Sequence, residues 1–242
     1  MHNPFPRFWT WLGIGLAILS IGAFLLLTPA SPLRKIDYIA AAVCHRIPSH
    51  SFFILGHQLP LCQRCTGTFP GALTGLLFQW AILKRRKARR FPSTGVFGIL
   101  AIFLLAWGLD GFNSYTTLLT GRPEGVLGYA PQSWLRLLTG SVVGMGMSIM
   151  LVPAFNQVLW HDLEDQRTIQ DWKEFAALIA VELLQAALIY SQAGWLFYPL
   201  TLYSGVAILA MFTCLGTMVF VMAVGYDNRC RGWREAWVPL LW

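Results

Sequence analysis

The sequence predicts an all-α protein, a polytopic bundle of about six transmembrane helices with a cysteine- and histidine-bearing loop between the first two. Three observations predict it. Only 12% of the 242 residues are charged, against about 25% in a soluble domain. Mean hydropathy is +0.55. The apolar residues also fall in blocks long enough to cross a bilayer, which takes roughly 20 of them. Lipid offers the backbone no hydrogen bonds, so each block satisfies its own as a helix.

The blocks lie at about 10–28, 67–83, 94–112, 134–153, 174–193 and 200–224. Nothing between them is long enough to fold alone, so 1–242 reads as a single integral membrane domain. The first block reads as an uncleaved anchor. It exceeds the roughly 7–15 residues of a signal core, and only Arg7 precedes it. Pro29 and Pro32 end it. Residues 33–45 read as a short amphipathic helix near the interface; Pro48 stops it, and Gly56 and Pro60 mark turns.

The second block carries Gly67, Gly71 and Gly75 at intervals of four, and the fourth repeats the device with Gly140 and Gly144. Such bare ridges let membrane helices approach closely. Residues 113–133 are polar and turn-rich. The segment 154–173 holds His161, Asp162, Glu164, Asp165 and Asp171 and reads as a solvated linker, with a cation site as the sharper alternative. Tryptophans at block ends, Trp9, Trp80, Trp160 and Trp242 among them, form an interfacial belt.

The net charge of +7 does not point to nucleic acid, because the basic residues sit at block ends. There they set topology or meet anionic lipid. With the N-terminus inside, the inner segments hold Arg7, the run at 84–90, Arg167, Lys173, Arg229, Arg231 and Arg234. The outer segments hold Arg34, Lys35, Arg46, Arg64 and Arg122. That bias predicts a multi-pass protein of the cell membrane with both termini cytoplasmic. Expected partners are the bilayer itself, other membrane proteins or a second copy.

This orientation puts Cys44, Cys62 and Cys65 on the outer face, where thiols are oxidised or metal-bound. Cys230 falls in the inner tail, and Cys214 is a small packing residue in the sixth block. Cys62 and Cys65 are spaced C-x-x-C, which turns both sulfurs to one side. Zinc needs four ligands. The expected set is Cys44, Cys62, Cys65 and His57, with His45 the alternative fourth ligand and His50 a weaker candidate. The same atoms also suit redox chemistry: Cys62 and Cys65 close as a disulfide and Cys44 attacks it. No thioredoxin-like context accompanies them.

Two ionisable residues lie inside apolar blocks. Buried charge is costly in lipid and such residues find partners. Asp110 lies at the depth of the cysteines and is expected to pair with Arg136, fixing helix packing or orienting a ligand. Glu182 is expected to pair within the bundle, a proton relay being the alternative.

Cys44-His45, Pro48, Ser51-Phe52, Gly56, Pro60, Cys62, Arg64-Cys65 and Thr66-Gly67 resemble the signature of a family of prokaryotic membrane proteins, domain-of-unknown-function family 2085. Asp110-Gly111 and Arg136-x-x-Thr139-Gly140 resemble its second block. The resemblance covers about 40–145 and leaves the blocks at 174–224 as an extension. The chain departs at His50, where the family more often has arginine, and at Ser133, where it tends to asparagine. The first departure weakens any role for positive charge there. The resemblance implies a membrane protein with a CH…CxxC site and no stated activity. Three functions stay open: a zinc centre, a membrane thiol–disulfide oxidoreductase, and a non-catalytic subunit of a membrane complex.

Overall fold

A computed structural model describes residues 7–241; Trp242 lies outside them. The first apolar block forms α1 (Arg7–Leu27), which buries only Gly13. Its outward apolar surface suits lipid. α2 (Pro32–Ala41) follows, with proline in its first turn, where the missing N–H is no loss. Lys35 Nζ donates to the Leu25 carbonyl at 3.0 Å and to Thr28 Oγ1 at 2.8 Å, which satisfies the end of α1.

A hairpin comes next. β1 (Ser51–Ile54) pairs antiparallel with β2 (His57–Cys62), Ile54 facing His57. Leu55 and Gly56 both take positive φ, 54° and 76°, the two-residue turn whose twist matches antiparallel strands. Gly56 was expected at a turn and is in one. Pro60 was expected at a turn too, but it lies within β2.

α3 (Gln63–Leu77) leads directly off β2 and widens into a π-helical turn at Phe78–Ile82. β3 (Ala88–Arg90) and α4 (Thr94–Thr120) follow, then α5 (Ser133–Leu159), β4 (Glu164–Arg167), α6 (Trp172–Tyr190), α7 (Phe197–Val224) and the short α8 (Trp233–Ala236). Every predicted block contains a helix. Four helical stretches, α1, α4, α5 and Gly194–Val224, are long and apolar enough to cross a membrane. The other two blocks are less clear-cut. The regular part of α3 has 15 residues, and α6 carries Lys173, Glu174 and Glu182.

α4 runs well past its predicted end at 112. Thr116, Thr117 and Thr120 fold their hydroxyls back onto carbonyls of their own helix, so polar side chains cost the turn nothing there. Gly121, in the left-handed region at φ 67°, finally ends it.

α3 and α5 form the most intimate pair in the molecule. A Cβ on Gly67 would strike the Leu137 carbonyl and the Ser141 amide; one on Gly140 would strike the Arg64 carbonyl; one on Gly144 would strike the Thr68 carbonyl and the Ala72 amide. The two glycine ridges therefore face each other with backbone on backbone.

The start of α1 and the end of α7 lie at one end of the bundle, with the rings of Trp9 and Phe220 5.9 Å apart. The basic run is at that end as well, and it is not free. β3 pairs in parallel with β4. Arg90 Nε donates to Asp165 Oδ1 at 2.7 Å and Arg85 Nη2 to Glu174 Oε1 at 2.8 Å. Asn156 and Gln157 hold the carbonyls of Ala88 and Arg89. The acidic segment is solvated as expected, with Asp165 exposed, but it is tied down: Asp165, together with Glu174 of α6, neutralises part of the arginine run.

Candidate functional site

The cysteines meet at the opposite end. The chain leaves α2 through Cys44 and turns at Arg46, whose φ is 51°. Arg46 is held there by its 2.6 Å pair with Asp37 and by Gln58 Nε2 donating to its carbonyl at 2.8 Å. β2 then delivers Cys62 at its end, and the first turn of α3 carries Cys65 to the same side. The three sulfurs lie within 4.8 Å of one another. Cys44 and Cys62 are buried and Cys65 is half-buried; all are free thiols. Ala40, Leu61 and Ile208 of α7 pack around them.

Cys44 is the acid of the trio. Hydrogen bonds from the Cys62 and Cys65 thiols, outweighing burial, together with backbone amides of Cys62 and Arg46, bring its pKa down to about 2. The Cys62 amide reaches its sulfur at 3.2 Å. Cys62 is pushed the other way, first by its bond to Cys44. Charge on one sulfur therefore opposes charge on the next, and a cation is what would let several ionise together.

Neither histidine expected as fourth ligand joins the sulfurs. His57 is exposed in the hairpin with its ring on Phe197, centroids 5.4 Å apart. His45 is exposed, its Nδ1 accepting from the Ile47 amide at 3.1 Å. Cys230 folds back under Trp160, where burial pushes its thiol up to about 12, and Cys214 is buried in the core as expected.

A second polar centre begins between the two CxxC cysteines. Asp110 was expected on Arg136; its ion pair is instead with Arg64. Arg64 belongs to α3 and reaches across to α4, where Gly111 leaves room: a Cβ there would lie 3.2 Å from Nη1. Tyr129 donates to the other Asp110 oxygen at 3.1 Å. Arg136 is 7% exposed and faces only neutral groups, Ser114 Oγ at 3.3 Å, Gln63 Oε1 at 3.3 Å and His50 Nε2 at 3.4 Å. Burial and the nearby Arg136, His45 and Arg64 hold His50 well below its ordinary 6.5, at about 4. Gln63, Arg64, Ser114 and Tyr129 were missed from sequence. A signal existed: Gln63 and Arg64 are the two residues enclosed by the C-x-x-C, and Ser114 lies one turn beyond Asp110 on the same face.

Glu182 does not pair as expected. It is 1% exposed, and neither oxygen has a hydrogen-bond partner among the described residues. Its Oε2 lies 3.0 Å from where a Cβ on Gly71 would be. Nearby, Thr74 Oγ1 bonds Gln185 and meets the Tyr203 hydroxyl at 2.7 Å.

The fold and site together define a helical membrane protein with a cluster of three cysteines at one end of its bundle. The family described as predicted membrane proteins, domain-of-unknown-function family 2085, matches residues 44–150, and this chain belongs to it. An uncharacterized protein of Methanothermobacter thermautotrophicus is 32% identical over 108 residues, covering 45% of this chain and 83% of the relative. An uncharacterized protein of Methanocaldococcus jannaschii is 29% identical over 122 residues, covering 50% of this chain and 69% of that one. No solved structure matches. The matched segment holds both polar centres except for what α6 and α7 pack against them.

Proposed function

We propose that Cys44, Cys62 and Cys65 bind a metal ion, zinc before others, at the outer face of the cell membrane. The carrying observation is the convergence of three cysteine sulfurs within 4.8 Å. Zinc bonds sulfur at about 2.3 Å in a tetrahedron, which sets sulfurs roughly 3.8 Å apart. The cluster closes onto one ion by small shifts. Thiolate donors favour zinc over magnesium or calcium. With the histidines turned elsewhere, the fourth position falls to water or a bound ligand on the half-exposed Cys65 side. An open position is the mark of a working zinc site rather than a closed staple. The basic end of the bundle faces the cytoplasm, by the excess of arginine and lysine there.

Cobalt(II) tests this. The purified protein, reduced and metal-stripped, should take up one cobalt and show sulfur-to-cobalt charge-transfer absorption. Each of Cys44→Ser, Cys62→Ser and Cys65→Ser should weaken it. Absence of uptake by fully reduced protein would overturn the reading.

A second reading is thiol–disulfide exchange. It draws on the same proximity and on the partial exposure of Cys65. A thiolate of this pair would attack a partner's disulfide, releasing one partner thiolate; the second cysteine would then displace the other and leave Cys62–Cys65 oxidised. A mixed disulfide trapped on Cys62→Ser or Cys65→Ser would favour this reading over the metal.

A further inference from the structure

We infer that Arg64 and Arg136 form a binding site for a phosphate-type oxyanion, beside the thiol cluster and distinct from it. Two guanidiniums share one carboxylate, and Asp110 is committed to Arg64. Arg136 is nine-tenths buried, yet its three contacts are neutral and long, 3.3 to 3.4 Å. Charge-assisted bonds of arginine run about 2.7–2.9 Å. A buried cation without a bonded counter-charge is costly; Asp110 and Cys62 attract Arg136 only through space, and no carboxylate or thiolate among the described residues bonds its guanidinium.

The surroundings point the same way. The groups facing this space are Arg64 on α3, Asp110 and Ser114 on α4, Arg136 on α5, Tyr129 in the loop, and His50 beside the hairpin. Arg64 Nε has no hydrogen-bond partner among the described residues. α3 and α5 both begin here with no acidic residue in the first turn and no side-chain cap, so two positive helix ends add to the field. Arginine forks fit phosphate oxygens. Arg64, His50 and Tyr129 are partly exposed, giving an anion its way in from the outer face. There the phosphate could be free or belong to a lipid headgroup.

The experiment is calorimetric titration of inorganic phosphate into the full chain in detergent, at fixed ionic strength, with and without prior chelation. A parallel arm compares nanodiscs of phosphatidylcholine with nanodiscs containing phosphatidylglycerol. The readout in both arms is the titration of His50 by histidine-labelled NMR, assigned with His50→Gln. Occupancy should raise the His50 pKa, because an anion cancels the repulsion from Arg136. Arg136→Gln should weaken phosphate binding at least about tenfold, the worth of one charged hydrogen bond. Arg136→Lys should recover part of it. A response to free phosphate supports a soluble anion; a response confined to phosphatidylglycerol supports a lipid headgroup. If neither moves His50, or Arg136→Gln binds as the wild type does, the site is overturned. Neither guanidinium bonds a sulfur, so phosphate binding should persist after chelation, and failure of the metal reading leaves this one standing.

Discussion

His50 sits 3.4 Å from the Arg136 guanidinium with its pKa held near 4 rather than 6.5. In the unfolded chain it takes up a proton near pH 6.5; in the folded protein it resists until about 4. Its neutral form therefore contributes stability that is complete above pH 6.5 and lost as pH falls towards 4. Thermal unfolding followed from pH 7.5 to 4 should show a falling midpoint, and His50→Gln should flatten the part of the slope in that window. A wild-type slope that His50→Gln leaves unchanged would assign it to other groups. At this scale the cysteines were legible, because C-x-x-C spacing alone turns two sulfurs together. Arg64 as the partner of Asp110 was not. The pairing depends on which way α3 is rotated against α4, and sequence depth alone made Arg136 an equal candidate. The surroundings of His57 were hidden for a related reason: a turn at Gly56 was expected, but nothing local shows that the hairpin carries the His57 ring onto Phe197 of α7.

Among the elements, the α3–α5 contact positions both polar centres. It was readable from glycine spacing, because backbone contact tolerates no side chain. Gly144→Val should cost about 3 kcal/mol or more, at the upper end of overpacking or beyond. Gly146→Ala on the same helix meets only Leu100 Cδ2 at 3.4 Å and should stay within about 0.5 kcal/mol. Equal denaturation midpoints for the two would remove the ridge as an organiser of the fold. Glu182 faces the same ridge with no hydrogen-bond partner among the described residues, so its charge is not what holds α6. Glu182→Gln should shift stability by no more than about 1 kcal/mol, since a neutral isostere loses no hydrogen bond. A much larger loss would mean that the ionised carboxylate has a counter-charge. The polar end of α4 and the β3–β4 pairing were illegible for one reason. The first rests on hydroxyls bonding carbonyls of their own helix and the second on backbone pairing between segments far apart in sequence; hydropathy registers neither.

For the whole molecule, helical class and block positions follow from hydropathy, because lipid leaves the backbone no alternative. What hydropathy concealed is how far the C-terminal helices belong to the site. Ile208 of α7 packs on the cysteines, and Ala186, Ile189 and Leu200 cover the hairpin strands with Phe52, Ile54 and Leu59. Residues beyond the matched segment 44–150 thus pack on the thiols and on the hairpin.

The central claim is that three sulfurs at one end of this bundle hold a metal. Elemental mass spectrometry on protein purified in detergent without reductant or chelator, with thiols counted on the same sample, tests it most directly. The account predicts about one zinc per chain, with Cys44, Cys62 and Cys65 shielded from alkylation until a chelator is added, and Cys230 slow throughout because it is buried. Protein with no metal and a disulfide between Cys62 and Cys65 would contradict it.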